Sequence, residues 1–165
     1  MIAKILVPIA FSMFSRGILE YALGLARPLR ARLLIANVVN ERDLKAVERI
    51  ASYGYKVDGD HYIATIQKER GTLLEKLVEE LGIGDDDYDY AFLAGDPAEE
   101  LLRLVVSEKV DMVVMGTKAR DLRHMFAGSV AESMFRKCPV PVSFYRGEEI
   151  ARELEKKIRK DMHSK

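Results

Sequence analysis

The residues best suited to chemistry lie between positions 111 and 130. A short apolar run ends at Gly116, a basic loop follows, and Gly128 and Ser129 open an apolar-periodic helix. The first N–H groups of a helix have no partner within the helix, and the helix dipole places partial positive charge beside them. A strand, a turn and a helix start in this order therefore predict a site for an anion such as a phosphate.

The loop between these glycines is rich in basic side chains. Such side chains neutralise phosphate charge when they surround a bound nucleotide. A solvated surface face would have the same composition, so the residue types alone leave both interpretations open. The basic residues concerned are Lys118, Arg120, Arg123 and His124.

No other group of residues forms a recognisable catalytic or metal-binding set. Cys138 stands before Pro139 with no histidine nearby in sequence, which favours an inert structural thiol. The three histidines are dispersed, and the acidic run 85–87 lacks the spaced oxygens of a calcium loop. Nucleophile-elbow and Walker motifs are also absent. We therefore predict no catalytic residues and no metal ligands.

Composition restricts the class of protein. The chain has 165 residues, of which 48% are hydrophobic, and its 26 Lys and Arg balance 26 Asp and Glu. This zero balance argues against a dedicated nucleic-acid binder, and the apolar run at the N-terminus is too short for a membrane span. A single cysteine excludes an internal disulfide and indicates a reducing cytoplasm.

The elements that must position the anion site alternate regularly. Continuous apolar strands followed by amphipathic helices predict a parallel sheet covered on both faces, in a doubly wound α/β fold. Ligands of such folds bind beyond the carboxyl ends of the strands, where the strand order reverses. The loops after Ile9 and Met115 are the natural candidates. The predicted strands are residues 5–9, 33–39, 90–94, 112–115 and 140–145.

Two helices carry clear end signals. Ser15 is a plausible N-cap for the first helix, which Pro28 should end at about Arg27. The helix that follows the third strand has Asp96 in the capping position and Pro97 in its first turn.

The last segment, residues 147–165, has a different pattern. Its apolar residues recur every fourth position and form one narrow stripe on a predicted helix. This helix either docks on its own domain or crosses to another subunit, and it is a candidate contact for a protein partner. The stripe consists of Ile150, Leu154, Ile158 and Met162.

Five sequence blocks, taken in order, resemble the universal stress protein family. The resemblance extends to about Tyr145, and it implies a domain at residues 1–146 with a helical extension at 147–165. It also implies a five-stranded parallel sheet sandwiched by helices, in the Rossmann-like fold of the adenine-nucleotide alpha-hydrolases. The blocks are residues 5–8, 95–100, 113–117, 128–132 and 138–142.

The resemblance further implies a homodimer in which the fifth strand pairs with its twin. Val140, Val142 and Phe144 would then lie at a two-fold interface. The composition of this strand agrees, because an apolar edge strand left bare invites association.

The family divides into members that bind ATP and members that do not, and the resemblance implies ATP or AMP, with Mg²⁺, as the candidate cofactor of this chain. By resemblance, the base would lie near Val38, the sugar near residues 8–10 and the phosphates near residues 116–118 and 128–130. The implied nucleotide-binding residues are Pro8, Ile9, Ala10, Val38, Met115, Gly116, Lys118, Ala119, Gly128, Ser129 and Val130.

This sequence departs from the binding members at two places. Ala10 occupies a position where they tend to carry Asp, and Ala119 replaces the second of two glycines in a loop that is also one residue shorter. An alanine in a left-handed conformation costs roughly 1–2 kcal/mol. Loss of a charge-assisted hydrogen bond costs about 1.5–3 kcal/mol.

Two functions follow from these expectations. The first is a cytoplasmic, dimeric, nucleotide-responsive stress regulator without strong catalytic activity. The alternative is a dimeric interaction or signalling module whose degenerate loop no longer holds ATP. A slow nucleotide hydrolase is a distant third.

Overall fold

The computed structural model describes residues 1–53, 59–117 and 130–163. Its five strands form one sheet in the order β3-β2-β1-β4-β5, and every neighbouring pair is parallel. Because the order reverses between β1 and β4, the sheet is doubly wound, as predicted. The strands are β1 (Lys4–Pro8), β2 (Arg32–Asn40), β3 (Tyr88–Gly95), β4 (Met112–Gly116) and β5 (Val142–Tyr145).

Helices cover both faces of this sheet. Side chains alternate along β1, so that Ile5 and Val7 face one apolar core and Leu6 faces the other. Helices α1 and α3 close the first core, and α4 and α5 close the second. The helices are α1 (Ser15–Leu29), α2 (Glu41–Ser52), α3 (Gly59–Glu80), α4 (Pro97–Ser107), α5 (Val130–Lys137) and α6 (Glu148–Met162), with a 3₁₀ turn at Asp85–Asp87.

Both predicted ends of α1 were wrong by a short distance. Phe14 is the N-cap and Ser15 is the first helical residue, with no side-chain cap bond. Pro28 lies inside the last turn, so the helix continues to Leu29. Near a helix end a proline removes only one intrahelical hydrogen bond. Here Arg30 takes the left-handed conformation at φ 54° and its N–H bonds to carbonyl groups of the last turn.

The predicted start of α4 is confirmed. Asp96 Oδ1 accepts hydrogen bonds from the N–H groups of Ala98 and Glu99, both at 3.0 Å, and Pro97 occupies the first turn. Among the described residues, no helix is long and apolar enough to span a membrane.

Candidate functional site

A cleft of about 300 Å³ opens at the carboxyl ends of the central strands. It lies where the chain leaves β1 and β4, which is the point at which strand order reverses. The structure brings seven of the implied nucleotide-binding residues to this one cleft: Pro8, Ile9, Ala10, Val38, Met115, Gly116 and Val130. The other four, Lys118, Ala119, Gly128 and Ser129, lie outside the described residues, as do the remaining basic residues of the loop.

The described wall of the cleft carries no charged side chain. It is mainly apolar, with a few amide and hydroxyl groups, and therefore suits a flat, largely neutral group better than a bare phosphate. Sequence analysis missed several lining residues because they belong to elements far apart in sequence. These are Ser12, Phe14, Ile18, Ala36, Asn37, Asn40, Pro97 and Leu101, whereas Thr117 lies within the range 116–118 implied for the phosphates.

Asn37 is the most informative of the missed residues. It is only 3% exposed, and its Nδ2 donates a 2.8 Å hydrogen bond to the carbonyl of Ile9. The N–H of Ile9 in turn donates to the carbonyl of Ala36 at 2.8 Å. These bonds fix the start of the β1–α1 loop against β2. An amide inside the otherwise apolar run of residues 33–39 was the available signal, since buried polar groups need partners.

Asn37 Oδ1 and Thr117 Oγ1 are buried and find no hydrogen-bond partner in the described part of the chain. A buried polar atom without a partner costs about 1–3 kcal/mol. Both residues line the cleft. Two further buried atoms without a partner among the described residues, Ser15 Oγ and the Tyr90 hydroxyl, belong to residues outside the cleft, so about half of these unpartnered atoms lie where a ligand would bind.

Helix α3 contacts the loop between β1 and α1, residues 9–14. Arg70 donates a 3.1 Å hydrogen bond to the carbonyl of Ala10, and its guanidinium lies 5.2 Å from the centroid of the Phe11 ring. Phe11 has φ 52°, a left-handed conformation that side chains with a Cβ rarely adopt. The cation–π contact and the hydrogen bond offset part of that strain. A cation thus approaches the loop at the position where binding members of the family tend to carry a carboxylate.

Packing against α1 disfavours a larger residue at position 116. A Cβ built on Gly116 would lie 2.6 Å from Ile18 Cδ1, which is buried in the core beneath α1. The family resemblance placed Gly116 beside the phosphates of a bound nucleotide. Its contact with α1 gives an independent reason for its presence.

Two carboxylates with lowered pKa values lie at the opposite, amino end of the sheet. Asp111 accepts hydrogen bonds from the backbone N–H groups of Ala3 at 2.7 Å and Lys4 at 2.9 Å, which lower the pKa of its carboxyl group. The ion pair between Arg32 and Asp89 lowers the pKa of Asp89 through a charged hydrogen bond. Within the described ranges, no group of three or more His, Cys, Asp or Glu could hold a metal ion.

Strand β5 forms one edge of the sheet. Val113 and Thr117 donate backbone hydrogen bonds to the carbonyls of Pro141 and Tyr145, at 2.9 and 3.3 Å. Since backbone groups alternate in direction along a strand, those of Val142 and Phe144 point to the open edge. The side chains of Val140, Val142 and Phe144 are only partly buried and pack against the core under α4 and α5.

Comparison with known proteins agrees with the sequence resemblance. Residues 1–146 match the model of the universal stress protein family. Universal stress protein MJ0577 of Methanocaldococcus jannaschii is 27% identical over 154 residues, which span 86% of this chain and 93% of that protein. Universal stress protein MJ0531 of the same organism is 26% identical over 144 residues, or 84% and 79% of the two chains.

Solved structures show the same fold. The structure of MJ0577 superposes with a TM-score of 0.71 at 24% identity and covers 90% of this chain and 98% of that one. A universal stress protein in complex with cAMP superposes with a TM-score of 0.57 at 19% identity, covering 88% of this chain and 97% of that one.

Proposed function

Because this chain belongs to the universal stress protein family, we propose that its cleft binds an adenine nucleotide and that it acts as a cytoplasmic, nucleotide-responsive stress regulator without strong catalytic activity. One observation carries the proposal. Residues implied separately by sequence, from β1, β2, β4 and α5, line a single cleft at the reversal point of the sheet. The cAMP complex of a protein with the same fold supports an adenine nucleotide as the ligand class.

The described wall fits the neutral part of such a ligand. The cleft volume of about 300 Å³ lies at the lower end of small-molecule pockets. Val38 and Met115 provide apolar contact for the base, and Ile9 and Ala10 lie on the sugar side. The phosphates of ATP or AMP would extend toward the basic segment after Thr117, with Mg²⁺ accompanying the triphosphate.

Affinity is expected to be modest. Ala10 cannot accept hydrogen bonds from ribose hydroxyl groups as an aspartate does. That loss costs about 1.5–3 kcal/mol, or roughly one to two decades in Kd.

Calorimetric titration with ATP, AMP and cAMP tests the proposal, together with analysis of nucleotide released when the purified protein is denatured. We expect binding by the unmodified chain and tighter binding, by about tenfold or more, in Ala10→Asp. The matched control is Ala64→Asp, which adds the same charge at an exposed position on α3. An absence of both released nucleotide and binding heat at millimolar ligand would refute nucleotide binding.

A second function remains in competition, namely an interaction or signalling module that holds no nucleotide. Its support is that Ala10 supplies no acid on the sugar side of the cleft, while the carbonyl of Ala10 is already bound by Arg70 of α3, which does not line the cleft. If Ala10→Asp creates no affinity and the unmodified chain shows none, this second function is favoured.

We also propose that the protein forms a homodimer through β5. The open edge presents the backbone groups of Val142 and Phe144, which a second copy can pair in antiparallel fashion. Val142→Pro removes an outward N–H while sparing the bonds to β4, so a monomer is expected in light scattering. Val142→Ala, which keeps the N–H group, should remain dimeric. A dimeric Val142→Pro variant would contradict this interface.

A further inference from the structure

Burial decreases steadily along α6. Gly147 lies beside the ring of Phe14, and Ile150 is 6% exposed. Leu154 is half-buried, whereas Ile158 is 60% exposed and Met162 is 71% exposed. The helix is therefore anchored by its first turn, and its apolar stripe continues beyond the body of the domain.

Charge divides α6 into two halves. Residues 148–155 contain four Glu and one Arg, a net charge of −3, and residues 156–163 contain three Lys, one Arg and one Asp, a net charge of +3. The intrahelical ion pair Glu148–Arg152, at 3.0 Å, lies within the acidic half of the helix. The pair Glu155–Arg159, at 2.6 Å, joins the acidic half to the basic half. An acidic beginning and a basic end also favour the helix dipole.

We propose that the exposed stripe of α6 packs against α6 of a second copy of this chain, with the two helices antiparallel. Antiparallel packing brings the acidic half of each helix against the basic half of the other. A parallel arrangement would place like charges together, which is unfavourable. A second copy is therefore the occupant that matches both the apolar stripe and the charge pattern.

The α6 contact is large enough to add to a dimer interface but too small to form one alone. A helix of 15 residues is about 22 Å long, too short to supply alone the roughly 1,200–2,000 Å² of a stable interface. Helix α6 begins three residues after the edge strand β5 ends, so its first turn lies near that edge of the sheet. A single two-fold axis can relate both the paired β5 strands and the paired α6 helices of two copies. In that arrangement the α6 contact adds to the stability of a dimer formed through β5. This pairing does not rest on nucleotide binding.

The stripe fixes the register of the pair. With antiparallel helices centred between Leu154 and Ile158, each Leu154 faces Ile158 of the partner subunit, and Ile150 lies level with the end of the partner helix. Cysteines at positions 154 and 158 therefore meet between copies, whereas two cysteines at the same position do not.

Disulfide trapping in the full chain tests this register. In a Cys138→Ser background, Leu154→Cys protein is mixed with isotopically labelled Ile158→Cys protein under mild oxidation, and products are identified by mass. We expect the mixed dimer to predominate over both self-linked dimers. Lys156→Cys, on the opposite face of the helix, is the matched control and should link poorly. Predominant self-linked products, or no linkage above the control, would overturn the proposal.

Reversing the charges of two side chains on α6 gives a second test of the antiparallel pairing. Glu153 and Lys157 lie four residues apart on the same flank of α6, where they can pair within one helix. In the proposed antiparallel packing, Glu153 of one copy would also approach Lys157 of the other. We expect Glu153→Lys to slow formation of the mixed dimer, and addition of Lys157→Glu to restore it. Equal helical content by circular dichroism excludes helix unfolding as the cause. Failure of the double variant to recover would count against interhelical charge pairing.

Discussion

The guanidinium of Arg70 lies 3.1 Å from the carbonyl oxygen of Ala10 and 5.2 Å from the centre of the Phe11 ring. One side chain of α3 thus holds both the backbone and the aromatic ring of the β1–α1 loop. This loop forms one wall of the cleft, and the residue that contacts it belongs to a helix that does not line the cleft.

Replacement of Arg70 should loosen the loop. Arg70→Met keeps an apolar stem but removes the hydrogen bond and the cation–π contact. We expect faster amide hydrogen exchange at residues 9–14, with a loss of global stability of no more than about 1–2 kcal/mol because the site is partly exposed. Arg103→Met, which removes surface ion pairs on α4, should leave exchange in the loop unchanged. Unaltered exchange in Arg70→Met would show that α3 does not restrain the loop.

Asn37→Ala should destabilise the folded chain more than the loss of a few side-chain atoms alone would. It leaves the buried carbonyl of Ile9 without its side-chain donor, for which we expect a loss of about 1–3 kcal/mol in the free energy of unfolding. Urea denaturation measures the change. Gln67→Ala, which removes an exposed amide on α3, is expected to lie within about 0.5 kcal/mol of the unmodified protein. Equal effects of the two substitutions would contradict a structural role for the Asn37 amide.

Gly116→Ala should overpack the core beneath α1. The new methyl group would meet Ile18 Cδ1, and we expect destabilisation of about 1–3 kcal/mol. Ile18→Val removes that Cδ1 atom and should recover part of the loss when combined with Gly116→Ala. In contrast, Gly24→Ala adds its methyl group in open space on α1 and should stabilise the helix by about 0.5–1 kcal/mol. Thermal or urea unfolding of the four variants checks the pattern, and strict additivity at positions 18 and 116 would refute the contact.

Acid sensitivity should depend on Asp111. Its folded-state pKa is lowered from an ordinary value of 3.8 by the backbone N–H groups of Ala3 and Lys4. The stabilisation is therefore fully present above that ordinary value and is lost as the pH falls through the lowered pKa. We expect Asp111→Asn to be less stable than the unmodified chain at neutral pH, with the difference shrinking below about pH 4. Unfolding curves across this range test the expectation, with Asp161→Asn on α6 as the control. A pH-independent difference would exclude this linkage.

The sequence pattern alone was sufficient to predict a parallel sheet and the order of strands and helices along the chain. Apolar runs alternating with amphipathic helices are an immediate consequence of a parallel sheet buried on both faces. The same logic placed the cleft after β1 and β4. The pattern predicted the end of α1 incorrectly because Pro28 near the helix end removes only one hydrogen bond. The other interactions of the last turn are sufficient to keep Pro28 and Leu29 helical.

The wall of the cleft was less accessible to prediction. Asn37 and Phe14 come from different elements, and only the folded chain shows that they line the same space. The family resemblance places Gly116 near a bound phosphate, yet in the folded chain a Cβ at this position would meet the Ile18 side chain. Tertiary contacts of this kind leave no periodic signal along the chain.

The hydrogen bond between Thr117 and Tyr145 joins the wall of the cleft to the strand at the open edge. If a ligand displaces Thr117, the end of β5 must follow or the bond must break. Occupancy and assembly would then be thermodynamically coupled, and the factor by which a ligand strengthened or weakened association would equal the factor by which association changed ligand affinity. If the cleft binds a nucleotide and β5 pairs with a second copy, as proposed, a change in nucleotide level would then change the fraction of paired molecules.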